Sequence, residues 1–409
     1  MTRRLVPLFT LLFGCASEAP RAEEPPVATA VEASPTSVPT TSITLVETVP
    51  IETKLGFEDV PDTHPTWLAM IEGAEREISL GHFYATEQAD VDDRLDEVIH
   101  ALEAAEARGV NVRVLLDALF AEDNAETHAR LGERLELRTT KHWAPRGGIQ
   151  HAKYMVVDGD DAYVGSANFD WRSLEHIHEL GLRVQGAPAA ALAALFQADW
   201  RAAAGEAPAY DELPSFAAVA VDGGGRLALV GSPVDALPDE DAWELSRLLN
   251  AIGTATSSIE VQLLSYEATY RNDDSFPQLQ QALLAAAGRG IEVRLLLSDW
   301  QKRHLDDVRT LQRAEHITVK LVTIPAASAG FIPFARVVHA KYAVFDRDDA
   351  WLGSSNWKGD YFYKGRNLGA WLTGTKVGPQ LHRGFEQLWS SPYAETLDPD
   401  ATYTPPKVK

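Results

Sequence analysis

The sequence predicts an α/β protein of two similar domains, each a mixed sheet flanked by helices. Three observations carry this. The stretch Arg108-Gly-Val-Asn-Val-Arg-Val-Leu-Leu-Asp117 returns as Arg289-Gly-Ile-Glu-Val-Arg-Leu-Leu-Leu-Ser298. Each copy follows a helix-like segment and, before it, an apolar strand candidate; strand, helix, Gly turn and strand are the mark of parallel βαβ units. Each half then carries the same dense His-x-Lys motif. A repeat of this length means two related domains rather than a solenoid.

The 409 residues are 45% hydrophobic, with a formal net charge of −22 and one cysteine. That hydrophobic content is ample for a core and excludes a wholly disordered chain. One cysteine excludes an internal disulfide framework and a cysteine zinc cluster. The acidity argues against a broad basic surface for coating nucleic acid, though not against a small basic pocket. No apolar run is long enough to span a bilayer.

At the N-terminus, Arg3-Arg4 precede an apolar run from Leu5 to Gly14, the pattern of a secretory signal peptide. Leu12-Phe13-Gly14-Cys15 is similar to a bacterial lipobox, with Phe13 bulky for its position. Residues 1–15 are therefore expected to be a signal peptide ending at a lipidated Cys15. That implies a lipoprotein of the bacterial cell envelope held to a membrane. Ala16 in place of an aspartate favours the outer membrane; a secreted protein is the alternative. Residues 16–62, rich in Pro, Ala, Thr and Glu, hold nine acidic and two basic residues. They are expected to form a disordered tether. The two domains are expected at 63–212 and 213–405, divided where Gly, Ala and Pro cluster around Tyr210 and Gly223-Gly-Gly225.

In the first half, Ile78–Tyr84 reads as a strand, Asp93–Ala107 as a helix and Arg108–Asp117 as a turn and strand. In the second, Ile259–Tyr266, Gln278–Ala287 and Arg289–Ser298 repeat the series. Then come the motifs: His151-Ala-Lys153 to Asp158 and Gly165-Ser166-Ala-Asn168, and His339-Ala-Lys341 to Asp346 and Gly353-Ser354-Ser-Asn356. The stretch from His151 to Val157 reads as a strand, so His151 and Lys153 project from one face. Asp158 has the opposite parity, so Asp158 and Asp346 are read as structural. Gly165 and Gly353 permit close backbone approach.

Two halves face to face supply two imidazoles and two ammoniums, a set suited to a phosphodiester. Lys153 and Lys341 would stabilise a pentavalent transition state. Ser166, Asn168, Ser354 and Asn356 are expected to bind the phosphate oxygens. One histidine would attack phosphorus and the other would protonate the leaving oxygen and then activate water. The scheme calls for no cofactor and no metal.

The duplicated H-x-K-x4-D-x6-G-S-x-N motifs resemble the phospholipase D superfamily. Gly165–Leu174 with Glu179-Leu-Gly181, Ile332–Tyr342, Ser355–Phe362 and Ser391-Pro-Tyr393 are similar to the lysosomal phospholipase D-like 5′-exonuclease branch. The resemblance spans roughly residues 60–400. It implies a pseudo-twofold α/β fold with one active site between the halves, and a covalent phosphohistidine. The branch implies single-stranded nucleic acid as substrate, with membrane phospholipid as the alternative. Eleven residues after Asn168 stands Glu179; eleven after Asn356 stands Asn367. The family pattern implies Glu179 as the orienter of an active-site histidine, taken here as His151, and leaves His339 without an equivalent partner. His151 is expected as the nucleophile and His339 as the general acid.

Other residues admit plainer readings. His82 is expected in the core or pocket wall. His176 and His178 share a strand face but lack a third metal ligand. Trp171, Trp300 and Trp357 are core candidates, and stacking on bases is the alternative. Phe331, Phe334 and Arg336 are candidates for lining the cleft. A noncatalytic binding module sits poorly with two complete motifs.

Overall fold

A computed structural model describes residues 40–88 and 93–409. The expected signal peptide, Cys15 and the first part of the expected tether lie outside the described residues.

The first sheet has seven strands, in spatial order Ser42–Thr48, Glu179–Gln185, Asp161–Gly165, Tyr154–Val157, Glu77–Gly81, Asn111–Asp117 and Glu136–Thr140. The second has nine: Val219–Ala220, Arg226–Ser232, Asn367–Thr373, Asp349–Gly353, Lys341–Phe345, Ser258–Leu263, Glu292–Ser298, Ile317–Val322 and Ala394–Thr396. Both sheets are mixed. Glu77–Gly81 runs parallel to Asn111–Asp117 and antiparallel to Tyr154–Val157. Ser258–Leu263 repeats this between Glu292–Ser298 and Lys341–Phe345.

The crossover helices follow from local chemistry. Asp93 caps Arg94–Ala107 by accepting from the N–H groups of Leu95 and Asp96 at 2.8 and 2.9 Å. Leu95, Val98, Ile99, Leu102 and Ala105 recur at helical spacing and are buried. Gly109, at φ +94°, turns the chain into the next strand. In the second half Leu279, Leu283, Ala286 and Ala287 bury the equivalent face of Gln278–Gly288, and Gly290 makes the turn at φ +85°. No helix among the described residues is long and apolar enough to cross a membrane.

The tether expected to reach residue 62 ends earlier. Ser42–Thr48 is an edge strand antiparallel to Glu179–Gln185, with Thr48 opposite Glu179. Its Ser-Ile-Thr-Leu-Val-Glu-Thr sequence is rich in β-branched residues, and Ile43, Leu45 and Val46 are buried. Averaging composition over the long polar segment conceals this short apolar stretch. The described residues form one compact unit, and one apolar cluster draws on both sheets: Leu182 and Val184 from the first, Leu229 and Leu372 from the second.

Candidate active site

The motif strands begin later than the alternating pattern predicts in the first half. Tyr154–Val157 is the strand, whereas the chain around His151 pairs with the opposite half. The His151 N–H donates to the Arg366 carbonyl at 2.9 Å, and the Arg366 N–H donates to the Ile149 carbonyl at 2.9 Å. The reciprocal bridge joins His178 to Val338: His178 N–H donates to Val337, and His339 N–H donates to His178 at 2.8 Å. Each histidine is thus pinned by backbone beside the strand of the other half that follows its own motif.

This crossing reassigns the orienters. Glu179 does not hold His151. Both its carboxylate oxygens lie 2.9 Å from Nδ1 of His339. Asn367 fills the equivalent place for His151, its Oδ1 lying 3.0 Å from Nδ1. Sequence spacing identifies the two orienting positions but not which histidine each meets, because the exchange happens across the interface. His339 therefore has a partner after all.

The Asn367 amide orientation is fixed by its other contacts. Nδ2 donates to the Tyr361 carbonyl at 2.8 Å, while Oδ1 also accepts from Ser354 Oγ at 3.0 Å. Oδ1 must then accept from His151 Nδ1–H, which leaves Nε2 of a neutral ring with its lone pair. Glu179 also accepts from Ser166 Oγ at 2.5 Å and Ser173 Oγ at 3.1 Å.

These contacts correct the reading of the motif serines as phosphate ligands. Ser166 and Ser354 are fully buried, and their hydroxyls also accept from the backbone N–H groups of Leu180 and Leu368 at 3.1 Å. They support the orienters. Asn168 is 6% exposed and its Oδ1 has no protein partner among the described residues. Asn356 Nδ2 donates to Tyr361 Oη at 3.3 Å.

Lys153 and Lys341 are fully buried. Lys153 Nζ donates to the His151 carbonyl; Lys341 Nζ has no hydrogen-bond partner among the described residues. Burial, opposed by the Glu179 carboxylate, brings Lys341 down to about 7. Burial and then the neighbouring Lys341 charge push Lys153 well below the usual ammonium range. Burial, reinforced by both lysines, drives His151 well below the ordinary imidazole value. His339 is also lowered by burial, but Glu179 opposes the shift. Burial works against the Glu179 charge, yet His339, Lys341 and Ser166 together hold it below the usual carboxylate value. Two ammoniums buried together are costly unless an anion joins them.

Beside His151 a small pocket of about 10 Å³ is lined by Gly147, Gly148, Arg271, Tyr361 and Asn367 among others. Tyr361 meets the His151 ring edge-on at 4.9 Å, and Phe83 lies at 5.1 Å. Gly148 is required here: a Cβ on it would lie 1.9 Å from the Lys364 carbonyl oxygen. Gly165 is similarly constrained, since a Cβ would sit 2.6 Å from the Gly181 Cα.

Asp158 and Asp346 lie at the far ends of their strands. Asp158 accepts from the N–H groups of Glu75, Arg76 and Glu77, and Asp346 from those of Thr256, Ser257 and Ser258. His82 is 1% exposed among Trp67 and Phe169, and burial lowers it to about 3. His178 pairs with buried Glu47 at 2.8 Å, whereas His176 packs edge-on against Trp171. Trp357 is fully buried, and Trp300 is partly exposed beside Phe334. Glu260, His382 and Glu386 bring potential ligand atoms within 4.8 Å of one another, but Arg294 already pairs with both carboxylates.

Sequence reasoning misses two supports. Asp117 Oδ2 accepts from the Gln150 N–H at 2.6 Å, fixing the chain just before His151. Arg366, fully buried, forms a two-point pair with Asp199 at 2.9 and 3.0 Å just before Asn367. The only sequence signal for Arg366 is a charged residue beside the orienting position.

Two histidines and two buried lysines converging from a duplicated α/β unit define a phosphodiesterase of the duplicated-motif class. Comparison with known proteins agrees. The family described as cardiolipin synthase, PLD-like domain, matches residues 67–200 and 248–389. Phospholipase D Z of Dictyostelium discoideum is 30% identical over 86% of this chain and 90% of its own length. The human 5′-3′ exonuclease PLD3 is 30% identical over 83% of this chain and 77% of its own. The fold is similar to that of phosphatidylserine synthase from Haemophilus influenzae, with a TM-score of 0.61 and 12% identity over 82% and 85% of the two chains. The chain belongs to the phospholipase D superfamily, and it is a phosphodiesterase.

Proposed function

We propose that the chain is a 5′-exonuclease of single-stranded nucleic acid acting through a phosphohistidine. The observation that carries the chemistry is the unequal pairing of the two histidines. Asn367 keeps His151 neutral with Nε2 free to attack; Glu179 favours a protonated His339. In the first step Nε2 of His151 bonds to phosphorus, the bond to the leaving oxygen breaks, and His339 gives that oxygen its proton. Water then attacks phosphorus, losing its proton to His339, and the phosphorus–nitrogen bond breaks. Lys153 and Lys341 neutralise the charge that builds on the non-bridging oxygens.

The exonuclease relatives and the flat rings of Phe83 and Tyr361 against His151 support a nucleic acid substrate. The phospholipase D relatives motivate membrane phospholipid as the second reading. At the N-terminus, Cys15 would tie the enzyme to the bacterial envelope. The deciding experiment offers 5′-hydroxyl single-stranded DNA and phosphatidylglycerol vesicles in parallel, with His151→Ala as control. Mononucleotide release without headgroup release is expected; the reverse pattern overturns the exonuclease reading. Alkaline quenching, which preserves the acid-labile phosphorus–nitrogen bond, tests the roles in His151→Asn and His339→Asn: phosphoenzyme is expected only in His339→Asn.

A further inference from the structure

The loop that runs into His339 displays large rings to solvent. Phe331 and Phe334 are 46% and 38% exposed, the two aromatic members of a set of four exposed large apolar side chains among the described residues, with Ile51 and Leu119. Trp300 stands edge-on to Phe334, with ring centroids 6.5 Å apart. Cations accompany the rings. Lys407 Nζ lies 4.2 Å from the centre of the Phe331 ring and Lys409 Nζ 5.8 Å from that of Phe334. Neither lysine makes a salt bridge among the described residues. Arg172 reaches the Phe334 ring at 5.7 Å and donates to the Pro333 carbonyl, its charge offset by Asp170. A cationic, aromatic patch on a chain of net charge −22 is selective for an anion with flat faces.

The chemistry of the site gives this patch a direction. His339 protonates the leaving oxygen, so the leaving part of the substrate lies on the His339 side. For an enzyme working from a 5′ end, that part is the remaining strand, ending in its new 5′-hydroxyl. The terminal nucleotide stays on His151, beside the cleft lined by Arg271 and Tyr361.

We infer that Phe331, Phe334 and Trp300, flanked by Lys407 and Lys409, form a track that holds the downstream strand of a single-stranded nucleic acid. This rests on the exonuclease reading and adds its polarity: bases stack on the rings while the lysines meet the backbone phosphates.

The test measures kcat/KM on a dinucleotide and on an oligonucleotide of about 20 nucleotides, long enough to cover such a track. The double variant Phe331→Ala/Phe334→Ala is expected to lose about tenfold on the long substrate, chiefly through KM, and less than about twofold on the dinucleotide. Phe331→Trp/Phe334→Trp should restore the long-substrate rate. Equal losses on both substrates, or none, overturn the track. Lys407→Gln/Lys409→Gln should reduce the slope of log kcat/KM against log salt by about 1.4 on the long substrate; an unchanged slope removes the lysines from it. The wild-type enzyme separates the two claims. If it cleaves the oligonucleotide while the ring variants keep its length preference, the track fails and the exonuclease reading stands. If it cleaves no oligonucleotide but releases phosphatidylglycerol headgroup, and the ring variants lose vesicle binding, both fail and the patch is a lipid surface.

Discussion

Asn367 and Glu179 occupy equivalent places in the two halves, and their chemistry differs: a side chain one methylene shorter, ending in a neutral amide in place of a carboxylate. In the proposed mechanism that difference divides the labour between two otherwise matched histidines. Asn367→Asp should give His151 a carboxylate partner, favour its imidazolium and move the acid limb of the kcat/KM profile upward in pH. Glu179→Gln should lower kcat by about 100-fold, the usual scale of a general acid made ineffective. An unmoved acid limb in the first variant would reject the neutral role given to His151. Lys341 should contribute to the other limb, together with His339, which must hold its proton to act as the acid. The lowered Lys341 value means the ammonium is charged below about 7 and neutral above it. If the charged form is needed to bind phosphate, kcat/KM holds below that pH and falls as pH rises through it. The acid limb should lie well below the ordinary imidazole value, because burial and the lysines depress His151. Lys341→Arg should carry the alkaline limb upward; a limb that stays near 7 would assign it to another group.

At the scale of elements, the H-x-K-x4-D spacing joins two distant places. The histidine end of each strand reaches the active site, and the aspartate end clasps the turn entering the neighbouring antiparallel strand. Asp158→Ala removes an acceptor from three backbone N–H groups and should cost about 1–2 kcal/mol, modest because the clasp faces solvent. A urea midpoint reads that loss, with little change in turnover by the folded fraction. The structural place of the two aspartates was legible from parity, though not the N–H groups they clasp, and the crossover helices were legible from apolar spacing and the Gly turns from their position. The edge strand Ser42–Thr48 was not, because one short alternating stretch carries little weight inside a long polar segment. Nor was the pairing of Glu179 with His339. Local sequence fixes which side chains share a face, whereas the partner across an interface depends on how the faces meet. Ser166 and Ser354 show the same limit: their place in the motif is plain, but whether a hydroxyl meets substrate or supports an orienter is decided by the fold.

For the whole molecule, two repeated sheets do not amount to two independent bodies. The shared apolar cluster, the paired backbone bridges and the Arg366–Asp199 pair all cross between the halves. Arg366 also lies over the rings of Trp143 and Tyr210 and donates to the carbonyls of Ser232 and Ala236. Asp199 accepts in addition from Tyr210 Oη at 2.8 Å. A guanidinium so fully satisfied is stable only while its carboxylate remains, and the reverse holds for the carboxylate. Arg366→Met should therefore cost about 3–5 kcal/mol by stranding a buried charge, whereas Arg366→Met/Asp199→Leu should recover most of that loss. Because the Arg366 backbone pins His151 and the next residue orients it, the single variant should also lose activity beyond its loss of folded protein. Denaturant unfolding read by tryptophan fluorescence and by far-ultraviolet circular dichroism should remain one coincident transition in wild type and in the double variant. Two separated transitions in the wild type would mean that the halves fold alone and that the site is assembled afterwards. A single transition that weakens in Arg366→Met and recovers in the double variant means that the site and the fold form together, since the same interface supplies both.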